Sequence, residues 1–397
     1  MKIVIYMNNF IYKYGGAEGY TANLIEVLQS IYKTETITII TESVKTSQKI
    51  RCHNFIENQN NAYGLKLDSN RINLKLINIP NTNVPEKGNK IVRIMGFIKR
   101  QNRFFKTQKL INHITKDYDL FINCSRYSFY GSAKKNIAII HFPKDPLSSI
   151  PINNKIPYLK LKAKKQDEKF KNKIDLFIPN SDFTSYWLSQ MWNIPDNKKI
   201  TIYPPVTPVS VKNEKNHNQI FICSRIESTK KIDILIKAFA SSKILSTKAK
   251  LIVAGSIKGE SPEYINMLKD ICPTVEFVYE PSRKKIEELY AQSNIFWHAK
   301  GINETNPLYY EHFGITTVEA LSASCIPIVI NKGGQKEIVN EICGFKWDST
   351  EELIRYTEYL IENENVCDKL RKNCEKRSKM FLKGNFKMNL LNALKKI

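Results

Sequence analysis

Two short stretches carry residue types at a spacing suited to holding a phosphorylated sugar. Glu311 and Glu319 stand eight apart in Tyr310-Glu311-His312-Phe313-Gly314-Ile315-Thr316-Thr317-Val318-Glu319-Ala320-Leu321. Ile315, Val318 and Leu321 recur at helical spacing, so a helix is expected to start just after Gly314. Gly314 lacks a Cβ and lets the backbone come close to a ligand. The amides of Phe313, Gly314 and Ile315 at the helix start suit a phosphate. Glu319 lies about one turn in, with its side chain leaning back toward the N-terminus. A carboxylate there cannot hold phosphate, but it can accept hydrogen bonds from ribose or hexose hydroxyls. The plainer alternative is an amphipathic helix with a capping carboxylate.

The second stretch is Arg225-Ile226-Glu227-Ser228-Thr229-Lys230-Lys231, between an expected strand (220–224) and a helix with Ile232, Leu235, Ile236 and Phe239 on one face. Arg225 and Lys230 can both reach one pyrophosphate from such a loop; two solvated loop cations are the alternative. His141 ends an expected strand (136–142), at the edge where open α/β sheets bind ligands. His298 ends another (295–298) and is expected to help shape a sugar pocket. Gly15 and Gly16, in Tyr14-Gly15-Gly16-Ala17-Glu18-Gly19, serve either a ligand or a tight turn. Asp117-Tyr118-Asp119 precedes its strand, where a metal-nucleotide site would follow one, and is read as a turn.

These residues need a scaffold of parallel strands. A strand (2–6), glycine loop, helix (20–31) and second strand (36–41) open a doubly wound α/β domain, although the glycines do not spell Gly-x-Gly-x-x-Gly. Strands at 119–124, 136–142 and 175–179 continue it, and Asn180-Ser181-Asp182-Phe183-Thr184 opens a helix with good capping chemistry. The polar, Asn-rich stretch 42–90 shows only a short strand (74–79). Tyr203-Pro204-Pro205-Val206-Thr207-Pro208 and the polar residues 212–218 read as a linker. Strands at 220–224, 251–254, 275–279, 295–298 and 326–330 then repeat the rhythm, with a helix at 284–292 and a closing amphipathic helix at 386–394. The expected domains are 1–205, 206–382 and a terminal helix, 383–397.

The bulk composition narrows the classes. With 397 residues, 42% hydrophobic and 11% aromatic, the chain is globular and long enough for two domains. Eight cysteines occur without a Cys-x-x-Cys pair or a nearby His, so reduced, mostly buried thiols are expected. No apolar run approaches the ~20 residues that span a bilayer. The N-terminus begins as a strand rather than a signal peptide, which implies a cytoplasmic protein. The net charge of +23 is lopsided: residues 1–200 hold 32 Lys and Arg against 15 Asp and Glu, and the remainder hold 29 against 23. That implies an anionic partner for the first half. Residues 91–110 mix Arg93, Lys99, Arg100, Arg103, Lys106 and Lys109 with Ile94, Met95, Phe97, Ile98, Phe104 and Phe105. Residues 155–173 carry eight lysines around Ile156, Tyr158, Leu159 and Leu161. Both suit an anionic membrane surface, on its cytosolic side, or an acceptor phosphate; helices with their Phe residues in the core are the alternative.

The Glu-x7-Glu spacing, with Phe-Gly inside it and Glu-Ala-Leu-Ser-Ala closing it, resembles the donor-site signature of retaining nucleotide-sugar glycosyltransferases of the GT-B fold, family four (glycosyl transferases group 1). The likeness runs through most of the chain. It is sharp over residues 220–344, including Gly333-Gly334-Gln335-Lys336-Glu337, and soft over 42–135. It implies two Rossmann-like domains facing across a cleft, with the terminal helix crossing back to the first. It places Glu311 by the donor sugar and Glu319 on the ribose, with Arg225 and Lys230 neutralising a departing diphosphate without metal. His141 and the Gly15-Gly16 loop fall at the reacting sugar. Lys231 stands where the family has Gly. The text around Glu311 is most similar to mannosyltransferases building lipid-linked or surface glycans. The implied reaction is retaining hexose transfer from GDP-mannose or a UDP-hexose to a glycan or lipid-linked acceptor, with no cofactor beyond the donor and no nucleic acid. A basic nucleic-acid-binding protein, favoured by charge alone, and a GT-B nucleotide-sugar epimerase are the rival readings.

Overall fold

The computed structural model describes residues 1–11, 15–43, 52–78, 90–150, 157–209 and 214–397. Tyr14, Ile79, Lys155, Ile156, linker residues 210–213 and the side chains of Arg93 and Ile94 lie outside the described residues.

The first unit comprises Met1–Asn180, Thr184–Ile202 and Asn389–Ile397. Its strands are β1 (Ile3–Tyr6), β2 (Ile37–Ser43), β3 (Ile72–Asn78), β4 (Leu120–Asn123), β5 (Lys135–Ile140) and β6 (Leu176–Pro179). They form one parallel sheet in the order β3-β2-β1-β4-β5-β6. Ile3, Val4, Ile5 and Tyr6 are all fully buried, as expected of a central parallel strand covered on both faces. The glycine loop feeds a helix, Gly16–Ile31.

The stretch 42–90, expected to hold only a short strand, also contains a helix, Cys52–Tyr63. Only Phe55, Ile56 and Gln59 of that helix are buried, so its Asn-rich surface leaves too faint an apolar stripe to read as a period. The basic stretches form the helices Lys90–Thr115 and Pro157–Lys173. Phe104 enters the core and stacks on Phe129 at 4.6 Å, while Arg103 pairs with Glu42 at 2.7 Å. Met95, Ile98, Tyr158 and Leu161 stay exposed. The Lys162 ammonium sits 4.0 Å from the Phe105 ring centroid and ties the two helices together.

The second unit comprises Ser181–Phe183 and Tyr203–Met388. Its strands are β7 (Asn216–Cys223), β8 (Lys250–Gly255), β9 (Glu276–Tyr279), β10 (Ser293–His298), β11 (Ile326–Ile330) and β12 (Phe345–Trp347). They form a parallel sheet in the order β12-β11-β10-β7-β8-β9. Strand order reverses between β7 and β10, which opens a crevice at their C-terminal ends. All five residues of β11 are buried, and Trp297 and Trp347 fill the core beside it. All eight cysteines are unpaired thiols and seven are buried.

Candidate functional site

The loops after β7 and β10 bring the predicted donor residues of the second unit to that crevice. After β7 a short 3₁₀ turn, Ser228–Lys230, ends at Lys231, which adopts the left-handed conformation (φ 58°, ψ 35°) before the helix Ile232–Ser241. A glycine would take this conformation at no steric cost; here the lysine is held by an ion pair to Glu304 at 2.8 Å. The turn aims Lys230 at Glu311, with Nζ 3.0 Å from Oε2.

The same Glu311 oxygen lies 3.6 Å from His298 Nε2 and 3.6 Å from Lys300 Nζ. Burial alone would raise the Glu311 pKa, but Lys230, Lys300 and His298 outweigh it and hold the carboxyl well below the ordinary range. Burial pushes His298 down, even beside that carboxylate. A carboxylate fixed as an anion among three nitrogens is an acceptor and a positioning group, not a proton donor.

Arg225 meets Glu227 at 2.7 Å and is largely exposed. Phe313 points into the core against Tyr203 and Phe381, leaving only its amide for a ligand. Gly314 precedes the helix Ile315–Ser322 with φ 132°. Gly333 (φ 61°) supports the turn from beneath, where an added Cβ would stand 2.2 Å from the Glu311 carbonyl oxygen. That carbonyl accepts the Gly334 amide at 2.8 Å. Gly333→Ala is therefore expected to lower stability by about 1–2 kcal/mol and to displace Glu311. The thermal unfolding temperature should fall; a neutral variant would contradict the packing.

Glu319 is buried, and its carboxylate is held by two side chains of the helix Arg283–Gln292. Arg283 donates from Nη1 to one of its oxygens, and the Tyr290 hydroxyl lies 3.3 Å from the other. Arg283 also donates from Nε to Glu287 at 2.8 Å. Sequence reasoning missed Arg283, though a signal existed. It opens the helix Arg283–Gln292 directly after the cap Ser282, where the helix dipole disfavours a cation unless a carboxylate answers it.

In the first unit, His141 directly follows β5, its ring edge-on to Tyr20 at 5.2 Å. Tyr20 belongs to the helix that Gly16 opens, and Gly15 donates its amide to the Tyr63 hydroxyl at 3.0 Å. His141 thus packs against the helix that the glycine loop introduces. Among the described residues, no group of three or more His, Cys, Asp or Glu side chains is placed to hold a metal ion.

Acidification should weaken the second unit. Burial lowers His298, and burial followed by the charge of Lys300 brings His312 down to about 4. Between pH 6.5 and 4 the unfolded chain takes up protons that the folded chain refuses, so stability rises with pH there. Each group contributes up to about 1.4 kcal/mol per pH unit. Glu311 acts in the same direction below its ordinary range. Urea unfolding across this window should show the slope, and His312→Asn should flatten it; an unchanged slope would refute the assignment.

Known proteins resemble this chain in sequence and in fold. Residues 207–379 match the family described as Glycosyl transferases group 1. The GDP-Man:Man(3)GlcNAc(2)-PP-Dol alpha-1,2-mannosyltransferase of Dictyostelium discoideum is 22% identical over 170 residues, covering 41% of this chain and 32% of that protein. The Mus musculus protein of the same name is 24% identical over 252 residues, covering 56% of this chain and 49% of the relative. The chain thus spans about a third to a half of the length of these curated relatives. The crystal structure of Anabaena Alr3699/HepE in complex with UDP-glucose matches over 100% of both chains with TM-score 0.68 and 16% identity. The fold is accordingly α/β with the GT-B architecture.

Proposed function

We propose that the protein, whose residues 207–379 match the family described as Glycosyl transferases group 1, transfers a hexose from a nucleoside-diphosphate sugar to an acceptor hydroxyl. The observation carrying this reading is the convergence of Lys230, His298, Lys300 and Glu311 where strand order reverses between β7 and β10. In this reading Lys230 and Arg225 take the diphosphate, Glu311 holds the sugar and Glu319 the ribose. The sugar C1–O bond breaks, both electrons leave with the nucleoside diphosphate, and the acceptor oxygen bonds C1 on the vacated face. The acceptor proton passes to the departing phosphate, so configuration is retained without a protein nucleophile or a metal. His141, Gly15 and Gly16 belong to the first unit, the acceptor-side domain of this reading.

The donor is GDP-mannose or a UDP-hexose, and the acceptor is a glycan or a lipid-linked glycan. The names of the relatives favour mannose and a lipid-linked acceptor. Peripheral contact with an anionic, cytosolic membrane face is part of the proposal. It is supported by exposed Met95, Ile98, Tyr158 and Leu161 among lysines and arginines. Among the described residues, no helix is long and apolar enough to cross a membrane.

The test offers each donor with a panel of lipid-linked and free glycans in EDTA, reading anomeric configuration by NMR. Donor consumption only with acceptor present, giving an α-product from an α-donor, is expected. Consumption without acceptor would replace transfer by epimerisation or hydrolysis.

A further inference from the structure

At the opposite edge of the second sheet lies a cavity of about 530 Å³ that the transfer reaction does not use. Its wall includes residues that precede strands: Lys215 stands just before β7, and Ser324 shortly before β11. In a parallel sheet these positions mark the N-terminal edge, away from Lys230, His298 and Glu311. The helix Glu364–Ser378 and the residue after it add Arg371, Lys372 and Lys379. Four cations therefore face two carboxylates, Asp368 and Glu375, around a space within the range of small-molecule pockets.

Two of these cations are fixed by the fold. Lys215 Nζ donates to the carbonyls of Tyr290 at 3.0 Å and Ser293 at 2.8 Å, and Arg371 Nη1 donates to Asn294 Oδ1 at 2.7 Å. An ammonium has three donors, so Lys215 has one more to give. Its surroundings lower its pKa, chiefly through burial, and an added anion would relieve that cost. Lys372 and Lys379 are exposed and can swing onto a ligand.

We propose that this cavity binds a small phosphorylated anion and transmits its occupancy to Glu319. Two short paths connect them. Ser322, in the cavity wall, donates its hydroxyl to the Glu319 carbonyl at 2.8 Å and accepts the Val209 amide at 3.0 Å. Tyr290, whose carbonyl takes Lys215, sets its own hydroxyl 3.3 Å from the Glu319 carboxylate. The helix Ile315–Ser322 joins the two edges over about 12 Å. An anion that draws on Lys215 loads Tyr290, and one that contacts Ser322 loads the end of that helix.

The test titrates inorganic phosphate into the full chain and follows binding by ³¹P line width. Binding is expected to persist in Lys230→Ala and to weaken about tenfold in Lys372→Glu/Lys379→Glu, whose melting temperature should stay unchanged because both lysines are exposed. Undiminished binding in the double variant, or loss in Lys230→Ala, overturns the site. Transmission rests on the donor reading and has its own arm. Saturating phosphate should change the Kd of the bound nucleotide by about threefold or more, and not in the double variant; an unchanged Kd overturns the transmission. If no nucleotide binds at all, the donor reading fails while the phosphate titration still decides the cavity.

Discussion

Lys230→Ala is expected to slow sugar transfer by about 10²–10³-fold at saturating donor. The ammonium lies in a half-buried cluster where its interaction with charge is screened less than at the surface, and the leaving diphosphate gains charge as the C1–O bond breaks. A group that acts mainly on developing charge lowers kcat more than it raises KM when removed. The fold should stand, because Glu311 keeps Lys300 and His298 after the change. Steady-state kinetics with an unfolding curve on the same sample separate the two effects. A loss of less than tenfold with intact stability would remove Lys230 from the chemistry.

Glu319→Ala should abolish measurable nucleotide binding and also cost about 2 kcal/mol of stability. The second effect arises because Arg283 would lose its main partner while remaining largely covered; Glu287 and some water soften the loss. The two effects come apart in Glu319→Ala/Arg283→Ala. Removing both charges leaves no stranded guanidinium, so stability should largely return, a non-additivity expected of contacting residues. Nucleotide binding should not return, because no carboxylate remains for the ribose. Recovery of binding in the double variant would show that Glu319 acts only as the counter-ion of Arg283.

Much of the scaffold was legible because parallel strands covered on both faces read as continuous apolar runs. Residues 326–330 were expected as a strand and form β11 unchanged. The expected 220–224 became Asn216–Cys223, since the polar residues 216–219 extend the strand without an apolar signal. The donor motif placed its helix correctly at Ile315–Ser322, because Gly314 and the apolar period after it agree.

What stayed hidden was pairing at a distance. Lys230 and Glu311 are 81 residues apart and Arg283 and Glu319 are 36 apart; nothing local in the chain joins either pair. The grouping of His298 and Lys300 around one carboxylate oxygen is a property of where β10 ends. It depends on strand order, which the sequence does not spell out. The helix Cys52–Tyr63 was lost for the reverse reason, a real element with too small a buried face.

The central claim is that the loops after β7 and β10 hold a nucleoside-diphosphate sugar. The most direct measurement is isothermal titration calorimetry of GDP-mannose, UDP-glucose and UDP-N-acetylglucosamine, in EDTA, against the wild-type chain and Glu319→Ala. One nucleotide family should bind the wild type and lose its binding in the variant. A folded wild-type protein that binds none of them, or a variant that binds as tightly as the wild type, would contradict the account.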